Sequence, residues 1–238
     1  MEPVIINLVS ALAIGSIIAL MASLNSNRLR ALVYSLPIPV TIVLIATGGE
    51  VNTTHLIGLV LGILFLWSVA FLHGRGISIL VADLLGAGAY LLAGYVAVSY
   101  IKVPFYVAVV CVSIAWSIFV YLYKNRVTKD KDQAIAKIHP LIKLPIVSVF
   151  AYILLSFKAL FSGIIVTFPF SGVFAVIENR HMLERLASTF TRNSIAIIGL
   201  FITTYVLEDM NVFMKLAIAW VVYLLILRIV AKTVPFKS

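Results

Sequence analysis

The sequence predicts an all-α, polytopic bundle of about nine transmembrane helices. Three observations carry this: apolar runs as long as a bilayer is thick, a scarcity of charge, and basic residues gathered in the short gaps between runs. Of 238 residues, 63% are hydrophobic and 11% charged, whereas a soluble domain carries roughly 25% charged residues. The net charge of +9 does not point to nucleic acid. Its Lys and Arg residues flank apolar runs, which is the pattern of membrane topology and lipid headgroup contact. The single cysteine, Cys111, lies inside an apolar run, so no disulfide and no cysteine-built metal site can form within one chain.

A hydrocarbon core of about 30 Å is crossed by about 20 helical residues. Nine segments fit: Val4 to Leu24, Ala31 to Thr47, Leu56 to Leu72, Ile77 to Val98, Val103 to Tyr123, His139 to Phe157, Ala159 to Ile177, Leu186 to Leu207 and Met210 to Leu227. The first lacks the basic residues that precede a cleaved signal, and Arg28 and Arg30 follow it, so it reads as an uncleaved helix with its amino terminus outside. The sixth has only 14 uncharged residues between Lys143 and Lys158 and spans only if Lys143 snorkels to the headgroups. Charge decides for it. With nine crossings, 14 Lys and Arg residues fall on one side and three on the other; with eight, the split is 11 to six. The positive-inside rule thus favours nine crossings and a cytoplasmic carboxyl terminus. The polar stretch 124–138 reads as a basic cytoplasmic loop dividing a five-helix part, 1–123, from a four-helix part, 139–238.

Two stretches look like copies. Arg28 and Lys158 each precede by 11 positions a proline in an apolar helix, Pro39 and Pro169. The second and seventh segments would run in opposite directions, as inverted repeats of secondary transporters do. A competing likeness joins Ser113-Ile-Ala-Trp116 to Ala217-Ile-Ala-Trp220, in segments of the same direction. Pro37 and Pro39, then Lys102-Val-Pro-Phe and Trp116, followed by Phe168-Pro169-Phe, Glu178 to Arg185 and Trp220, together resemble the GlpM-like family of small bacterial membrane proteins, as two joined copies. The resemblance implies a bacterial inner-membrane location and brings no catalytic residues.

Proline within a membrane helix frees a carbonyl one turn earlier, which must be satisfied by protein or water. Pro39 and Pro169 each lie about 12 Å from the cytoplasmic end of their segments. Hydroxyls flank both: Ser35 and Thr41 beside Pro37 and Pro39, Thr167 and Ser171 beside Pro169. Such a set suits a small polar solute or ion at mid-depth; the plain alternative is that the prolines only shape the bundle. Asp83 and Arg192 are expected at equal depth, about 9 Å in, as an ion pair or as an anion clamp with counter-ion or proton carrier. Glu178, His181 and Glu184 share a helical spacing, read as a solvated helix start with Arg180 and Arg185 rather than a metal site. Small residues Ala82, Gly86 and Ala89 place the fourth segment centrally. Phosphate-loop, nucleophile-elbow, zinc-protease and dinucleotide motifs are absent from the sequence.

The expected function is a transporter or permease for a small, anionic solute, without cofactor, metal or catalytic residues. The expected partners are the lipid bilayer, the solute, and a second copy or another membrane protein. Two rival classes are an accessory subunit of a membrane export assembly and an intramembrane enzyme acting on lipid.

Overall fold

A computed structural model describes residues 3–23, 36–123 and 139–233, and among them every regular element is helical. In chain order these are α1 (Pro3–Ser23), α2 (Ile38–Ala46), α3 (Thr53–Gly74), α4 (Ile79–Tyr100), α5 (Phe105–Tyr123) and α6 (Pro140–Ser156). There follow α7 (Lys158–Phe161), α8 (Gly163–Val166), α9 (Phe170–Glu178), α10 (Leu183–Val206) and α11 (Val212–Thr233). Six of them, α1, α3, α4, α5, α10 and α11, are long and apolar enough to cross a membrane. The chain is a membrane-type helix bundle. The basic stretch 124–138 lies outside the described residues, as do Arg28, Arg30 and Ser35.

Local sequence explains the ends. α3 starts at Asn52, whose side chain accepts from Thr54 N while Asn52 N donates to His55 Nδ1, a reciprocal cap that satisfies groups a helix leaves open. α4 is capped by Ser78, and α6 by His139 with Pro140 in its first turn.

Contacts between loops fix which ends share a face. Thr53 Oγ1 donates to Val103 O at 2.8 Å, and Asn52 Nδ2 to Ser162 Oγ at 3.1 Å. A Cβ on Gly49 would touch Val212 and Lys215. The loops after α2, α4, α6 and α10 therefore gather at one face, here the first. The turns after α3 and α9 and the end of α11 lie at the opposite, second face. α1 runs antiparallel to α6, with Asn7 beside Leu155 and Gly15 beside Ser148 and Leu144, so α1 starts at the first face. Gly15 makes that pairing close: a side chain there would collide with the Ser148 hydroxyl and the Leu144 carbonyl.

α3 and α10 form the interior, and their buried residues include Leu56, Leu59, Ile63, Leu66, Ala196, Ile197, Leu200 and Phe201. Thr191, fully buried on α10, ties three helices. Its hydroxyl accepts from Trp67 Nε1 of α3 at 3.1 Å and its carbonyl from Trp116 Nε1 of α5 at 2.7 Å. The fourth segment is not central as expected. α4 exposes Leu84, Leu85 and Leu92 and buries one stripe, Ala82, Asp83, Gly86, Tyr90, Gly94 and Ala97, against α3 and α8. Its small residues serve an edge helix that packs along one side rather than a helix surrounded on all sides.

Candidate functional site

The expected seventh segment appears as an interrupted helix, and the described part of the second, 36–47, holds only a half-length helix. α2 starts only after Pro37 and runs nine residues to the first face. The seventh is broken twice: α7 stops before Ser162, α8 stops before Thr167, and α9 starts after Pro169 and runs nine residues to the second face. Nine residues of helix measure about 14 Å, close to half of a hydrocarbon core of about 30 Å. Each half-helix thus begins near mid-depth and points its amino terminus inward from opposite faces.

The expected mid-depth residues flank these starts. Pro37, Pro39, Thr167 and Pro169 are buried, Thr41 and Ser171 half-buried, and Ser35 lies outside the described residues. Two of the hydroxyls are already used. Thr41 Oγ1 donates to Pro37 O at 2.9 Å and accepts from Trp220 Nε1 at 2.9 Å. Thr167 Oγ1 bonds Tyr90 OH at 2.9 Å and reaches the Gly163 and Ile164 carbonyls at 3.3 and 3.2 Å. Thr167 thus covers carbonyls of α8 before the break, and Thr41 ties the start of α2 to Trp220 of α11, both structural roles. What stays open is backbone. Thr41 N and Val173 N return to the Pro37 and Pro169 carbonyls. Among the described residues, however, the N–H groups of Ile38 and Val40 on α2, and of Ser171 and Gly172 on α9, donate to nothing. Open N–H groups at a helix start, with the positive end of the helix dipole behind them, attract anions.

The break between α7 and α8 has its own anchor. Ser162 has φ +45°, a backbone state that costs a side-chained residue about 1–3 kcal/mol. The start of α3 holds it there. Gly163 N donates to Thr54 Oγ1 at 2.8 Å, and Asn52 Nδ2 holds Ser162 Oγ.

Asp83 and Arg192 are not paired. Counting from the observed helix starts, Asp83 lies four residues into α4, about 6 Å, and Arg192 nine into α10, about 14 Å. The expected equal depth came from placing α4 two residues early and α10 three residues late. Arg192 Nε donates to Asn193 Oδ1 at 3.2 Å, whereas Asp83 Oδ1 is buried without a hydrogen-bond partner.

The charged pair that the structure does form is Lys143 Nζ with Glu178 Oε1 at 2.6 Å, both side chains fully buried. Phe174 lies beside the ammonium, its ring centre 5.8 Å away. This replaces two expectations. Lys143 does not snorkel, and Glu178 does not belong to a solvated helix start. Glu178 ends α9 and Leu183 opens α10, so a turn separates Glu178 from Glu184, and His181 receives Arg180 Nε at 3.2 Å instead. Among the described residues no three His, Cys, Asp or Glu side chains come together to hold a metal. The pair had a signal in the sequence: the sixth segment starts, and the seventh ends, at the same face, with Lys143 near the first and Glu178 directly after the second.

The chain matches no known family model, curated protein or solved structure. Its function is therefore argued from this geometry alone.

Proposed function

We propose that the chain is a permease of a bacterial inner membrane that moves a small anionic solute through a site between the starts of α2 and α9. The observation that carries this is the two half-helices of opposite direction, each starting near mid-depth after a proline with two backbone N–H groups that no described residue accepts. Discontinuous helices whose amino termini face each other are how secondary transporters hold anionic groups at the midplane. Counting the segment of α2, the segment of α7 to α9 and α6 as one crossing each beside the six long helices supports nine crossings. The basic residues of the sequence gather on the second face, which supports a cytoplasmic second face and an outer amino terminus. The half-helices α2 and α9, opposite in direction and each starting after a proline, support an inverted repeat.

The test is uptake of labelled sulfate, phosphate and short-chain carboxylates by vesicles containing the purified protein. Ser171→Pro removes one of the free donors at a helix position that tolerates proline, while Ser171→Ala removes only the hydroxyl. Uptake should be lost in the first and retained in the second. Wild-type vesicles that take up none of these anions faster than empty ones would overturn the reading.

A further inference from the structure

Asp83 is a buried carboxylic acid that no described residue engages. It occupies the second turn of α4, on the stripe that this helix buries, and is 3% exposed. Its Oδ1 has no hydrogen-bond partner. Among the described residues no Lys, Arg or His nitrogen stands within ion-pair distance of it. The field of a helix amino terminus acts within the first turn, and Asp83 lies beyond it. An isolated carboxylate buried at membrane depth is costly, whereas the protonated acid is much less so.

The ionisable side chains on the helices packed against α4 are otherwise engaged or distant. On α3, His73 Nδ1 is within 2.9 Å of Ile77 O, and His55 belongs to the cap at the first face. Arg75, in the turn joining α3 to α4, lies over the Phe71 ring, 4.2 Å from its centre. On α9, Glu178 is held by Lys143. Lys158 of α7 is at the first face, and α8 carries no ionisable side chain. A metal cation would need several oxygen ligands, and among the described residues no group of three His, Cys, Asp or Glu side chains is there to hold one. A proton needs only the one oxygen.

We propose that Asp83 is a proton-binding site that couples solute movement to proton movement. Its carboxylate accepts a proton from hydronium at the second face, leaving water, and the neutral acid returns that proton to water when the helices rearrange. α4 packs on both α3 and the half-helix α9, so the charge on Asp83 bears on the packing of the element that carries the proposed anion site. The coupling rests on the permease reading; the proton site does not.

The experiment has two arms on the full-length protein. Infrared difference spectra between acidic and alkaline buffer should show the C=O band of a titrating carboxylic acid. That band should vanish in Asp83→Asn, shift in Asp83→Glu, and persist in Glu208→Gln, which alters an exposed acid. Persistence of the band in Asp83→Asn, or its absence from the wild type, overturns the proton site; the Asp83→Glu variant serves if the Asn variant does not fold. In the second arm, vesicles enclosing a pH-sensitive dye receive sulfate, which brings no exchangeable proton near neutral pH. Wild-type uptake should acidify the lumen, and Asp83→Asn should abolish that acidification. Sulfate uptake without acidification overturns the coupling and leaves the permease standing. Loss of the infrared band with no anion uptake by the wild type upholds the proton site and removes the permease.

Discussion

At the scale of single residues, the contrast is between Lys143 and Asp83, both charged in type and both buried. Lys143 has Glu178 at 2.6 Å, and a buried ion pair is strongly coupled: removing one partner costs about 3–5 kcal/mol because the other is left alone, while replacing both with apolar groups is often neutral or stabilising. Lys143→Met should therefore lower stability by about that amount. Lys143→Met with Glu178→Leu should recover most of it. Unfolding by detergent titration, with all four proteins in one cycle, measures both. If the single and the double replacement cost the same, the pair does not couple. None of this was legible from hydropathy, which weighs each charge against its own neighbours in sequence and is blind to a partner 35 positions away. Asp83 was legible as an oddity, since a lone acid in an apolar run stands out whatever it faces.

At the scale of elements, the long helices were legible and the broken ones only partly. The third and fifth expected segments, Leu56 to Leu72 and Val103 to Tyr123, agree with α3 and α5 to within three residues at each end, because runs of apolar residues with capping and turn residues at their ends leave few alternatives. The sequence places Pro37 and Pro169 inside full-length segments, whereas both half-helices begin directly after them. The second break in the seventh segment has no proline. Ser162-Gly163 is an ordinary pair in a membrane helix, and its turn is held by Asn52 and Thr54, 110 and 109 positions away. α8 also fits against α3 only because Gly58 has no side chain: a Cβ there would overlap the Thr167 hydroxyl and come within 3.1 Å of Tyr90 OH. Gly58→Ala should cost about 1–3 kcal/mol by overpacking. The comparison is Gly74→Ala at the end of the same helix, where a Cβ would meet nothing within 4 Å. Equal unfolding midpoints for the two variants would mean that α8 does not need the close approach.

At the scale of the whole molecule, the loop contacts assign ends to two faces, and the charges of the sequence are the basis for the proposed orientation of those faces. Asn52 is exposed at the first face, and Lys131 belongs to the basic stretch that follows α5 toward the second. With Cys111 replaced by Ser, single cysteines at Asn52 and Lys131 should react with impermeant reagents from opposite sides of the membrane, the Asn52 site from outside. Labelling of both from one side would reject the topology.

The clamp on the break between α7 and α8 bears on how the chain is made. Asn52 and Thr54 leave the ribosome more than a hundred residues before Ser162 and Gly163. The receptacle for that kink is thus synthesised, and α3 can already be in the bilayer, before the kinked segment exists. The first half acts in this sense as a template for the second. The cost of the unusual Ser162 backbone falls due only when Asn52 and Thr54 are within reach to offset it.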